Sequence, residues 1–214
     1  MASPPGLLPP PPKPFRLLLH KAGVWYRVHT GKYAPAAFNA SGLGNARYSR
    51  LFDPAANKPI PTIYAASNER GAIAEVVLHD VPTPSAGYLH DLEADYSNDL
   101  HLSRIGTAPL QLVDLTSLGL KAGGLVPFDF FDGEKDDYPR TRAWALWIWQ
   151  NMPHAQALHW MSKRDNRCEV IVLFGDRIHS TEIWDDKSSQ SLQAHEDLLI
   201  DLLAQMGAGV YPAI

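Results

Sequence analysis

Four polar side chains stand where their surroundings in the chain leave them something to do: Arg47 in a glycine-rich loop, Tyr64 at a strand end, Glu75 within an apolar helical stretch, and Ser162 where a strand pattern meets a turn. A carboxylate taken out of water costs several kcal/mol unless it is paired or hydrogen-bonded, so Glu75 needs either a local partner or a purpose. His79, one helical turn on and near the helix C-terminus, is the structural partner; a functional site is the other reading, and spacing alone leaves both open. Arg47 follows Asn39-Ala-Ser-Gly-Leu-Gly44 together with Tyr48 and Arg50. Such a loop can bring guanidinium groups to a phosphate or a carboxylate, the plainer alternative being solvated surface arginines.

The elements that must hold these groups follow from periodicity. Thr62–Ala65 predicts a short strand, Ser67 an N-cap, and Asn68–Leu78 a helix. Ile73, Val76 and Val77 form its apolar face, and the far side is mostly small or apolar too, so the helix is expected to be buried nearly all round. Val24–His29 predicts a strand carrying Arg27, after which Thr30–Pro61 reads as loop. Tyr88–Leu92, Leu100–Ile105 and Leu110–Leu115 read as short strands, followed by a break at Gly123-Gly124. Pro139 suits the first turn of a helix running to about Asn151, with Trp144, Trp147 and Trp149 making it mostly core. His159–Ser162 predicts a strand, Lys163–Arg167 a turn, and Glu169–Phe174 a buried strand. Ser188 or Ser189 can cap a last helix, with Leu192, Leu198, Leu199, Leu202, Leu203 and Met206 on one face and Gly207 as its stop. Closely spaced strands with few helices between them predict an α+β fold whose core is a mixed, largely antiparallel sheet with flanking helices.

Composition narrows the function. The chain has 214 residues, 45% apolar and 20% charged, which suits one globular domain over 15–214, preceded by a Pro-rich extension over 1–14 that is disordered or polyproline. A net charge of −4, with no local run of Lys or Arg, argues against direct binding to nucleic acid or an anionic membrane. The early prolines break any signal-peptide core and no stretch approaches a transmembrane helix, so the cytoplasm is the expected compartment. Cys168 is the single cysteine and is expected as a small buried hydrophobe within a strand. The G-x-G at Gly42-Leu43-Gly44 lacks a preceding strand, a third glycine and a following helix, so it is no dinucleotide fingerprint. Neither the nine histidines nor the acids of Phe128–Asp137, read as an exposed loop with an aromatic anchor, form a metal-ligand pattern.

Taken in order, these residues resemble the RES-domain family, toxins of RES–Xre bacterial toxin–antitoxin systems. The resemblance runs through Tyr26-Arg27-Val28-His29, then Gly44-Asn45-Ala46-Arg47-Tyr48 where the family tends to have a Gly-Arg-Trp-like element, then Ile63-Tyr64-Ala65-Ala66 and Ala72-Ile73-Ala74-Glu75-Val76. It continues with Trp160-Met161-Ser162 ahead of Val172-Leu173-Phe174, spanning roughly residues 24–205. The resemblance implies a fold like that of the ADP-ribosyltransferase toxins and destruction of NAD⁺ by hydrolysis or phosphorolysis of the nicotinamide–ribose bond. It puts Arg47, Tyr64, Glu75 and Ser162 at catalytic positions, and Arg27, Arg47, Tyr48, Tyr64 and Ser162 around NAD⁺.

Breaking that bond builds oxocarbenium character on the ribose, which Glu75 would stabilise. Arg47, with Arg27, would hold the pyrophosphate, Tyr64 would stack on nicotinamide, and Ser162 would hydrogen-bond ribose or phosphate. No cofactor beyond NAD⁺ as substrate is implied, inorganic phosphate being the co-substrate of a phosphorolysis, and no metal. The implied partner is an Xre-type helix-turn-helix antitoxin, which would supply the DNA binding that an acidic chain lacks. Two rival readings are a protein ADP-ribosyltransferase using the same site and a non-catalytic interaction module.

Overall fold

The apolar run Glu169–Phe174 is the strand on which the fold is built. In the computed structural model, which describes residues 11–82, 85–127, 130 and 137–211, it is covered on both faces. Val170, Val172 and Phe174 cluster with Trp144 and Ile148, whereas Ile171 and Leu173 cluster with Trp25, Ile63 and Ile105. A strand buried on both sides requires a continuous apolar sequence rather than an alternating one.

In chain order the strands are β1 (Leu17–His20), β2 (Gly23–Thr30), β3 (Leu51–Asp53), β4 (Lys58–Ile60), β5 (Thr62–Ala66), β6 (Leu89–His90), β7 (Leu100–Thr107), β8 (Leu110–Asp114), β9 (Ala157–Met161), β10 (Glu169–Phe174), β11 (Ile183–Asp185), β12 (Gln190–Ser191) and β13 (Gly209–Val210). The α-helices are α1 (Glu69–Val76), α2 (Leu92–Ser97), α3 (Ser117–Ala122), α4 (Tyr138–Asn151) and α5 (Glu196–Gln205). A nine-stranded sheet runs β1–β8–β9–β10–β5–β2–β7–β11, with β12 also on β7. Its pairings are antiparallel except β8 with β9, so the predicted mixed, largely antiparallel α+β architecture is the observed one.

Register places the helices. Ala66 lies opposite Val170, and Tyr64 opposite Val172, so each pair projects from the same face of the sheet. Ala66 belongs to the cluster built with Ile73 of α1 and Leu199 and Leu203 of α5, while Val170 and Val172 belong to the cluster built with α4. Helices α1 and α4 therefore cover the same face side by side, and the seam between them is where a site can form.

Several local expectations change. Asn68, not Ser67, caps α1, its Oδ1 accepting the Gly71 N–H at 2.8 Å. Ser67 instead ties β5 to β10, giving its N–H to the Glu169 carbonyl and accepting the Glu169 N–H. The strand predicted over Tyr88–Leu92 shrinks to β6, because Asp91 caps α2 immediately after it. The last helix starts at Glu196 after a 3₁₀ turn over Leu192–His195, later than a cap at Ser188 or Ser189 would put it. Strand β1, the β3–β4 hairpin and α3 had no periodic signal long enough to find. Cys168 precedes β10 rather than lying within it, and is fully buried. Most of the Phe128–Asp137 loop lies outside the described residues, as do residues 1–10 of the Pro-rich extension; Phe130, which is described, is buried. Among the described residues no helix is long and apolar enough to cross a membrane.

Candidate active site

Strands β2 and β5 share a single ladder position, Tyr26 opposite Ala66. Past it they cease to pair, and a cavity of about 460 Å³ opens on the seam between α1 and α4, a volume within the range of small-molecule sites. Glu75, Arg47, Tyr64 and Arg27 all border it, joined by Asn45, Tyr138, Trp160, Lys163 and Arg164.

The wall carrying Glu75 is built by close packing. Gly71 lets α1 approach the loop before β10 so closely that an added Cβ would lie 1.8 Å from the Cys168 sulfur. The next residues, Ala72, Ile73 and Ala74, are buried, but the helix is not buried all round, because Val76 is 38% exposed and Glu75 is half-buried at the cavity. His79 is not the partner of Glu75: its Nδ1 meets the Val76 carbonyl at 2.9 Å and its Nε2 lies 3.1 Å from Asp80. The partner is Ser162, whose hydroxyl donates to Glu75 Oε1 at 2.5 Å. That hydroxyl in turn accepts the N–H groups of Arg164 and Asp165, both at 3.0 Å, which fixes the direction of its proton. Ser162 itself is 2% exposed, so its place is behind the carboxylate rather than on the cavity surface.

The opposite wall is aromatic and basic. Tyr64 packs edge-on to Trp160, with ring centroids 6.0 Å apart, and its phenol oxygen accepts the Tyr48 N–H at 2.6 Å. Tyr48, expected beside the ligand, is instead fully buried: its hydroxyl donates to the Phe130 carbonyl at 2.5 Å and its ring packs against Trp160. Burial raises the pKa of both phenols, so both stay protonated. The Arg47 guanidinium lies over the Tyr138 ring, 5.2 Å from its centroid.

Arg27 is held differently. Strand alternation turns it to the face opposite Tyr26 and Val28, and its Nη1 donates to the carbonyls of Pro35 and Ala37 at 2.5 and 2.8 Å. It borders the cavity only at the gap between β2 and β5. Among the described residues it has no carboxylate partner, and desolvation lowers its pKa to about 10, so it remains a cation at neutral pH.

Sequence reasoning did not single out Tyr138, Asn45, Trp160, Lys163 and Arg164 as wall residues. Asn45 and Trp160 lie within the quoted motifs, and Lys163 and Arg164 directly follow Ser162, whereas Tyr138 had no such signal. Among the described residues no group of three or more His, Cys, Asp or Glu side chains could hold a metal. Cys168 is no nucleophile in waiting, since burial raises its thiol pKa. What remains is one oriented carboxylate facing cations and aromatic rings across a partly enclosed cavity, a layout suited to an anionic, ring-bearing ligand with a centre that turns positive during reaction.

A family model for the RES domain matches residues 24–195. Among solved structures, a chain of the M. tuberculosis MbcT–MbcA toxin–antitoxin complex is similar in fold, with a TM-score of 0.59 and 15% sequence identity over 84% of this chain and 90% of that one. No curated protein matches.

Proposed function

The chain belongs to the RES domain family, and from that premise we propose that it is the toxin of a toxin–antitoxin pair and acts by cleaving the nicotinamide–ribose bond of NAD⁺. The observation that carries the reading is the Ser162–Glu75 hydrogen bond at the cavity wall, because it holds a carboxylate in one orientation at an otherwise aromatic and basic site. As the bond from ribose C1′ to the nicotinamide nitrogen lengthens, the electron pair leaves with nicotinamide, which departs as a neutral base. The ribose becomes oxocarbenium-like, and a fixed carboxylate is worth most against charge that appears only then. An oxygen of water or inorganic phosphate then bonds to C1′, and an attacking water releases its proton to solvent.

The remaining residues divide the substrate. Arg47, with Lys163 and Arg164 also on the wall, suits the pyrophosphate, and the charge of Arg27 beneath the gap adds to the same field. The Tyr64 ring, braced by Trp160 and by the Tyr48 N–H, suits the nicotinamide. Ser162 acts by aiming Glu75. The likeness to a chain of a toxin–antitoxin complex supports an antitoxin partner, and we expect one of the Xre helix-turn-helix type that covers the cavity in the cytoplasm.

The test is nicotinamide release by the purified chain and by Glu75→Gln, with and without phosphate. Glu75→Gln is expected to lower turnover about 10³-fold while the fold persists by circular dichroism. Full activity in the variant would overturn the role of Glu75. Modification of a co-expressed protein in place of free ribosyl product would identify a protein ADP-ribosyltransferase.

A further inference from the structure

The loop that carries Arg47 has little structure of its own, a single bridge between Ala46 and Ser49. Its conformation comes from the buried Tyr48, which anchors it on one side, and from α4. The Arg142 guanidinium donates through Nε to the carbonyls of Ala46 and Ser49, at 3.1 and 3.2 Å, and through Nη2 to the Ala46 carbonyl at 3.0 Å and to the side-chain oxygen of Asn45. These acceptors bracket Arg47 in sequence. Thr141, the preceding residue of α4, adds a hydrogen bond from its hydroxyl to the Arg47 carbonyl at 2.5 Å. Tyr138, one helical turn before Arg142, lies against both guanidinium groups, 5.2 Å from that of Arg47 and 5.7 Å from that of Arg142.

One planar fork thus holds the loop on either side of Arg47 and shares an aromatic ring with it. A lysine ammonium, a point charge on a flexible stem, cannot span the same set of acceptors. We propose that Arg142 is the positioning residue for Arg47, fixing the loop so that the Arg47 guanidinium meets the anionic part of the substrate. The inference rests on the NAD⁺ reading for the identity of that substrate. It does not rest on the cleavage step, since Arg142 is not on the cavity wall and its effect passes through binding.

The experiment measures steady-state nicotinamide release and, separately, calorimetric binding of ADP-ribose, for the full chain and for Arg142→Ala, Arg142→Lys, Arg47→Ala and the Arg47→Ala/Arg142→Ala double variant. Both Arg142 variants should raise KM for NAD⁺ and Kd for ADP-ribose about tenfold while kcat stays within about twofold, and the double variant should bind no more weakly than Arg47→Ala alone. Additive losses in the double variant, a fall in kcat at unchanged KM, or wild-type binding by Arg142→Lys would overturn the proposal. Arg142→Lys keeps charge and stem, so it carries the test if Arg142→Ala fails to fold. A wild-type chain that binds ADP-ribose without releasing nicotinamide would overturn the cleavage reading and leave the binding comparison standing; one that binds no ADP-ribose would overturn both.

Discussion

The two walls of the cavity are held by opposite means. Glu75 rides on α1, a helix capped by Asn68 and seated through Gly71 against Cys168, and its carboxylate receives a hydroxyl that two backbone N–H groups hold in place. Arg47 rides on a loop positioned from outside, by the burial of the adjacent Tyr48 and by Thr141 and Arg142 of a neighbouring helix. The first wall is stiff because its own backbone bonds are closed; the second is as stiff as the helix it leans on. The difference matches the proposed tasks. A carboxylate opposing charge that develops late gains most from being fixed in advance, whereas a cation that captures a substrate anion tolerates a loop. Damage to the first wall should fall on stability or turnover, and damage to the second on binding.

The strongest way to break that contrast is Gly71→Ala. The new Cβ would meet the Cys168 sulfur at 1.8 Å, so α1 must shift. Overpacking of this kind costs about 1–3 kcal/mol, and the upper end is expected here, read as a lower urea midpoint at unchanged m. Adding Cys168→Ala should recover part of the loss; no recovery would mean that the helix is not seated by this contact.

A smaller effect is expected from Ser162→Ala, which leaves Glu75 without its donor and the Arg164 and Asp165 N–H groups without an acceptor. Nicotinamide release should fall about 10–100-fold in kcat with KM for NAD⁺ little changed. A raised KM at intact kcat would put Ser162 on the substrate and erase the distinction between the walls.

The smallest effect is one that should touch neither wall. Burial lowers the pKa of His159, and likewise of His29, below the ordinary 6.5. His159 is 3.4 Å from the Glu169 carboxylate, and among the described residues neither ring nitrogen has a hydrogen-bond partner. Each imidazole takes up a proton more readily in the unfolded chain, so the stabilisation is present above pH 6.5 and is lost as pH falls below it. The unfolding free energy from urea titrations should therefore drop between pH 7 and pH 5 by less than about 1.4 kcal/mol per pH unit for each proton, and His159→Gln should flatten the drop. KM for NAD⁺ at pH 7 should not change in that variant.

The chain's local pattern was enough to name its strong elements. The continuous apolar run of β10, the Pro139 first turn and Asn151 end of α4, the strand–helix order around Glu75 and the largely antiparallel sheet all follow from rules that act over a few residues. It also singled out Arg47, Tyr64, Glu75 and Ser162 as polar groups in need of an explanation, and the fold brings all of these to one seam. It failed where partners are remote. His79 was the near partner for Glu75, yet the actual one, Ser162, is 87 residues away; Arg142, which holds the loop of Arg47, is 96 residues from the Ala46 carbonyl it binds. Tyr48 sits beside Arg47 in sequence and could not be known to turn inward until Phe130 and Trp160 were placed around it. Periodicity reports which face of an element is apolar, because that is a property of neighbouring residues. Which polar group meets another across the seam depends on strand register and helix placement, which the whole sheet sets at once, and only the tertiary structure decides it.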